Sequence, residues 1–333
     1  MAIPTNAYTT YTAAGQREDL SDDIYDISPT ETPFVSNLAR VKASARLHDW
    51  QIDNLAAFNT TNAALEGDDH SGVAITKTQL LRNHLQIFRK DIVVTGTMQA
   101  IDLAGRAKEL DYQIAKTGKE LKRDMEAIFL GEHDGSAGGT TTAPQLGGVE
   151  AWLGTLTANG LTYAFSGSGT TTPTTTPGFA TATGLLATFS DGTSVSAFTK
   201  ASLDTVIKQA WINGGEPRVI MVGPFNKQAA SAFTGIATLQ KDVPGNTQGV
   251  IVGAADIYVS DFGVHTIVPN RFSRDRTALV LDMTLWANAE LRPMMTIPIA
   301  KTGDSEKIMM LTETTLECRN PFGSGKCTDL TAA

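Results

Sequence analysis

Three observations in the sequence predict an α+β architecture. The chain opens with a polar arm that carries scattered apolar anchors. Two extended stretches around a polar tip come next. A long amphipathic helix then precedes a region where strands and helices alternate. The arm spans residues 1–45. Thr32 reads as a helix N-cap and Pro33 as the first helical residue, where a missing N–H removes no bond. Phe34, Val35 and Leu38 give that short helix an apolar side, and upstream Leu20, Ile24 and Ile27 repeat at i, i+4 and i+7. Helices this short are marginal in water, so the arm orders only by lying on the body or on a neighbouring copy. A frayed terminus is the plainer alternative.

Residues 46–98 form the second outlying segment. Leu47, Trp50, Ile52 and Leu55 mark the first stretch, and Leu85, Ile87 and Ile92 to Val94 mark the second. The tip between them holds an acidic cluster of Glu66, Asp68, Asp69 and His70. A two-stranded ribbon needs a surface to lie on. Residues 102–130 carry the strongest helical signal, with Leu103, Ala107, Leu110, Ile114, Gly118, Leu121, Met125 and Ile128 along one face. Asp102 is the expected N-cap and Gly131 the expected residue past the end.

Residues 154–198 change character. The run 166–178 holds only Ser, Gly, Thr and Pro, so a Gly/Ser/Thr-rich insertion is expected, with a small extra β-layer as the alternative. From Phe198 the pattern becomes α/β. A helix capped by Thr199 should run toward Gly214, followed by a buried strand at 219–222 and a helix opened by Pro224. Strands at 256–259 and 264–268 follow. Residues 277–281, 286–291 and 308–316 read as strands that would pack under the long helix. Residues 321–333 read as a Gly-rich C-terminal tail.

Length and composition bound the function. The chain has 333 residues, 41% of them apolar and 19% charged, enough to bury a full core. No basic leader or membrane-length apolar run is present. Cys318 and Cys327 suggest neither a disulfide framework nor a zinc site. The net charge of −8 speaks against a protein that lives by nucleic-acid affinity, because such proteins carry a basic excess to neutralise phosphates. Catalytic signals are weak. Asn320 to Cys327 departs from a phosphate-binding loop at both ends, with Asn in place of Gly and Cys in place of Ser or Thr. The acidic tip lacks the alternating ligands of a calcium loop. No G-x-S-x-G turn is present. No catalytic, cofactor-binding or metal-binding residue is therefore expected.

Several runs, in order, resemble a known family. They are Arg17-Glu18-Asp19-Leu20-Ser21, residues 26–38, His48-Asp49-Trp50-Gln51, Glu109-Leu110, residues 119–126, Leu146-Gly147-Gly148, residues 221–227, residues 258–263, residues 268–272 and Lys301-Thr302-Gly303-Asp304. Together they resemble the major capsid proteins of tailed bacteriophages, in particular the SU-ten-like family. The resemblance implies the Hong Kong ninety-seven-type capsid fold. In it, 1–45 would be the N-terminal arm, 46–98 the extended loop, and 99–153 with 266–320 the peripheral domain, containing the spine helix 102–130. Residues 199–265 would be the axial domain.

It implies a structural protein, not an enzyme, that self-assembles as hexamers and pentamers of an icosahedral head. Such a head encloses double-stranded DNA without reading its sequence and is built in the bacterial host cytoplasm. Portal and decoration proteins, and a separate scaffold or none, would be its other partners; no membrane is involved. The rivals are an encapsulin-type nanocompartment shell and a soluble enzyme of unknown reaction. The candidate assembly-interface residues are Phe34, Leu38, Trp50, Glu66, Asp68, Asp69, Arg271 and Arg274.

Overall fold

The computed structural model describes residues 28–332, apart from 57, 68–71, 73–74, 76, 104, 106, 155–156, 159–160, 168–177, 181–182, 187–190, 193 and 234–255. In chain order it begins with helix α1 (Pro33–Asn37) and strands β1 (Ala39–Lys42), β2 (Leu47–Ile52), β3 (Gln79–His84) and β4 (Gln86–Thr95). Helices α2 (Gly96–Ala100) and α3 (Glu109–Phe129) follow, then β5 (Asp134–Ser136), β6 (Gln145–Gly147) and α4 (Val149–Trp152). Three short strands come next: β7 (Thr157–Ala158), β8 (Leu161–Thr162) and β9 (Ala164–Ser166). The α/β part holds α5 (Lys200–Ile212), β10 (Val219–Val222), α6 (Pro224–Ser231), β11 (Ile257–Ser260), β12 (Gly263–Pro269) and β13 (Ala278–Leu281). Two long strands, β14 (Trp286–Ile299) and β15 (Ser305–Cys318), precede β16 (Gly325–Cys327).

The first sheet has the order β1-β14-β15-β4, with β1 parallel to β14 and the other pairs antiparallel. Helix α3 lies on it through Leu121, Met125 and Phe129, spaced four apart so that they share one face. The helix is shorter than the sequence predicts. It starts at Glu109 because Gly105 takes φ +77, which no continuous helix accommodates, and Lys108, not Asp102, precedes it. At 1.5 Å per residue its 21 residues span about 31 Å. At the edge of the sheet β4 alternates, burying Phe88, Ile92 and Val94 and exposing Ile87 and Val93; Phe88 meets Phe129 of α3.

The second sheet has the order β11-β12-β10-β13-β16-β9. Its central strands Val219–Val222 and Ala278–Leu281 are apolar runs covered on both faces, so they do not alternate. Helix α5 packs on it through Leu203, Val206, Ile207 and Ala210. Thr199 and Ser202 form a reciprocal capping box at its start. At its end Gly214 N–H donates to Trp211 O and Gly215 N–H to Ala210 O, with Gly214 at φ +82: the glycine-closed helix end that the sequence indicates.

Three expectations need correction. The sequence pattern places residues 277–281 under the long helix with β14 and β15, yet β13 joins the second sheet, paired to β10 and β16. The expected tail at 321–333 is core. Residues 321–330 are buried, and β16 sits between β13 and β9. Its glycines serve close approach, since a Cβ on Gly325 would lie 2.5 Å from Ala164 O. The expected insertion at 154–198 is also tied into the body. Strand β9 pairs with β16, Tyr163 and Phe179 are buried against Phe322, and Ser196 bridges Leu330. Of the run 166–178, residues 168–177 lie outside the described part.

Candidate assembly interface

The arm helix is anchored by a residue ninety positions away. Pro33 brings no N–H to the first turn of α1, and the next two amides, Phe34 N and Val35 N, donate to the two Glu126 carboxylate oxygens at 2.8 and 2.7 Å. Asn270 Nδ2 donates to the same carboxylate at 2.6 Å. Glu126 is fully buried on α3. Burial pushes its carboxyl up, and the bonds from Val35, Phe34 and Asn270 pull it back down. Thr32 precedes the helix, as expected, but its hydroxyl caps no amide. Phe34 is buried edge-on to Trp286 at 6.3 Å, Leu38 is buried too, and β1 continues into the first sheet. Phe34 is therefore spent on the chain's own core, whereas Leu38 packs in that core and also lines an open groove beside α1.

The ribbon has a fixed root and a bare tip. Asn83 is buried where β3 leaves the body; its amide donates to Leu316 O at 2.8 Å and Gly147 O at 3.1 Å, and its carbonyl accepts from Gly147 N at 2.8 Å. Trp50 donates from Nε1 to Cys318 O at 2.8 Å and packs on Trp152, so it too belongs to the root and not to a surface. His48 meets the Glu317 carboxylate at 2.7 Å, and that bond holds the Glu317 carboxyl below its ordinary range. Beyond Ile52 the large apolar side chains of the tip are exposed among the described residues. Leu55 is 98% exposed, Phe58 91%, Leu65 81% and Ile75 92%. Glu66 is exposed among them, while Asp68 and Asp69 lie outside the described residues. Sequence reasoning offered the acidic residues of this tip as interface candidates, read Leu55 only as a strand position and passed over Phe58, Leu65 and Ile75.

The expected basic patch splits. Arg271 is exposed. Arg274 instead enters an ion cluster, pairing with Glu132, with Glu150 at 2.9 Å and with Asp191. Arg276 reaches Asp191 at 3.5 Å and Asp329 at 3.6 Å. Below them the fully buried Lys326 donates to Glu150 O at 2.6 Å. Burial pushes Glu150 up to about 7 and lowers Lys326 to about 8. The cluster ties α4, residues 191–192 and β16 to the loop after β12, so it is internal bracing. Sequence proximity could not reveal it, because its four acids, Glu132, Glu150, Asp191 and Asp329, are far apart in the chain.

A second exposed apolar surface lies on the β11–β12 hairpin. Ile257, Val259 and Val264 share its outer face, while Tyr258, His265 and Ile267 face inward. Beside it the exposed Trp211 meets Phe262 at 5.3 Å. The two strands were legible in the sequence, but not which face would be bare.

Two apolar surfaces are thus exposed among the described residues, on a braced two-sheet body. A family model for the SU10 major capsid protein matches residues 3–331. The major capsid protein of Escherichia phage Phieco32 is 28% identical over 360 aligned residues, covering 98% of this chain and 97% of that protein. Among solved structures, the capsid of Cyanophage A-1(L) matches with a TM-score of 0.62 at 14% identity, over 95% of this chain and 98% of its own. The holo-SrpI encapsulin complex of Synechococcus elongatus matches with a TM-score of 0.53 at 10% identity, over 95% and 92%. At these identities the structures show the shared Hong Kong ninety-seven-type fold alone, and it serves phage heads and encapsulins alike. The family match separates the two, and by it this chain belongs to the SU10 major capsid protein family of bacteriophages.

Proposed function

We propose that copies of this chain join as hexamers and pentamers into the icosahedral head of a tailed phage, assembled in the host cytoplasm around double-stranded DNA. The ribbon tip is the observation that carries this reading. Four large apolar side chains are held almost wholly in water on a root that cannot collapse to cover them. Burying each on a neighbour is worth roughly 1.5–3 kcal/mol before the entropy of association is subtracted. Repeated at every subunit of a closed shell, such contacts make assembly cooperative. The net charge of −8 fits a container that encloses DNA without gripping it. The role is structural, with no catalytic step. Portal and decoration proteins, with or without a scaffold, would complete the particle.

Sedimentation and negative-stain imaging of the full-length protein test the proposal. Closed shells or capsomers are the expected result. A compact monomer at high concentration would overturn it, and shells filled with a cargo protein instead of DNA in the infected host would favour the encapsulin reading.

A further inference from the structure

Helix α3 looks balanced in sequence, with Glu109, Asp111, Glu120, Asp124 and Glu126 set against Lys116, Lys119, Lys122 and Arg123. The fold sorts these charges to different sides. Glu126 is buried and bound to α1, and the buried Glu109 accepts from Gln113 Nε2 at 2.7 Å. Lys90 of β4 draws Glu120 and Asp124 toward the sheet, at 3.4 and 3.0 Å. Lys116, Lys119 and Arg123 fall at i, i+3 and i+7, on the side opposite Leu121, Met125 and Phe129, and Lys122 flanks them. All three lysines are exposed. Lys116 and Lys122 make no ion pair among the described residues. The Arg123 guanidinium carbon lies 5.7 Å from the centre of the Phe272 ring, which brings the exposed Arg271 to the same end of the helix. The outer side of α3 is thus a basic stripe on a chain of net charge −8.

Resting on the shell reading above, we propose that this stripe lines the inside of the shell and touches the phosphates of the enclosed duplex DNA. The chemistry of the surface chooses the occupant. Apart from the lysines, the exposed residues of α3 are Asp111, Ala115, Asp124 and Ala127, so the helix offers no large apolar anchor. A protein partner is held mainly by such anchors, buried at the centre of the contact. A nucleic-acid backbone needs none, because neutralising phosphates and releasing their counterions supplies the attraction. From Lys116 to Arg123 the helix rises about 10 Å, a length over which duplex DNA carries about six charges. The contact is weak in one copy, repeats at every subunit and fades as salt rises. It reads no base, since a cation on a phosphate carries no sequence information.

Fluorescence anisotropy of a short labelled duplex, titrated with full-length subunits below their assembly concentration, tests the contact. Binding should weaken with salt, with a slope of log K against log salt of about −4. Lys116→Gln, Lys119→Gln and Lys122→Gln together should cut that slope to about −2, with the melting temperature unchanged. A parent that does not bind, or a variant that keeps the parent's slope, would overturn the stripe as a phosphate contact. In particles, acylation of Lys116 by a small amine reagent, measured relative to the exposed Lys208 on α5, tests the orientation. It should be several-fold slower in DNA-filled heads than in heads emptied of DNA. Equally fast acylation in both would overturn the inward-facing contact. Equally slow acylation in both would overturn DNA as the occupant and point to a covering protein. Absence of shells from the unaltered protein would instead overturn the shell reading itself.

Discussion

Helix α1 and the ribbon tip look alike in sequence, since each is a polar stretch with a few large apolar residues and no core of its own. In the structure their fates are opposite. Phe34 is fully buried, whereas Leu55 is 98% exposed. Hydrophobicity does not separate them; backbone polar groups do. The first turn of a helix presents unsatisfied amides, and Glu126 supplies two carboxylate oxygens where α1 needs them. Among the described residues the tip has no such acceptor, and its apolar residues stay exposed. One short segment is folded in the subunit, and in the proposed shell the other is completed by assembly.

The largest expected effect erases that difference. Glu126→Ala leaves three donors around an empty site and should destabilise the subunit by about 3–5 kcal/mol, read by thermal or denaturant unfolding. Glu126→Gln keeps one acceptor and should lose about half as much. If Glu126→Ala unfolds like the parent, the carboxylate anchor is not what distinguishes the two segments.

A second expectation concerns pH and belongs to the body, not to the tip. Burial lifts Glu150 to about 7 from its ordinary 4.5. Between those values the folded chain holds a proton that the unfolded chain has released. The contribution to stability is therefore full below the window and lost as pH rises through it. Glu150→Gln should flatten this part of the melting temperature against pH. The same slope in parent and variant would overturn this assignment to Glu150.

Smaller effects on the subunit should accompany large ones on the shell at the tip. Replacing Leu55, Phe58 and Leu65 together by Ser should change subunit stability by no more than about 0.5 kcal/mol and abolish shells seen by negative stain. Loss of subunit stability would mean the tip packs on its own chain. The smallest effect is expected at 168–177, where a short Gly-Ser linker should leave both melting temperature and assembly nearly unchanged. Failure of assembly there would add a third contact surface.

What the sequence revealed follows the range of the interactions involved. The start of α1 at Pro33, the N-cap at Thr199 and the Gly214 helix end are set by neighbours in the chain, and each was legible. The Thr32 hydroxyl caps no amide, however, and the reciprocal bond from Thr199 N–H to Ser202 was not foreseen. Glu126 was not, because its partners lie 91 and 92 residues away and its place on α3 looks like one more charge on a polar face. The C-terminal segment misled for a related reason. Gly323, Ser324 and Gly325 have the composition of a loop, yet the small residues are there because β16 must fit between β9 and β13. Only tertiary pairing distinguishes the two. At the candidate interface the acidic tip residues drew attention because charge is conspicuous. Leu55, Phe58, Leu65 and Ile75 resemble ordinary strand residues until the fold shows that nothing covers them.

Hydrogen exchange of the full-length protein, as isolated subunit and as shell, tests the central contrast most directly. The account predicts that amides of residues 33–42 are protected in both states and that those of 53–78 become protected only in the shell. Protection of 53–78 in the isolated subunit, or free exchange of 33–42 until assembly, would contradict it.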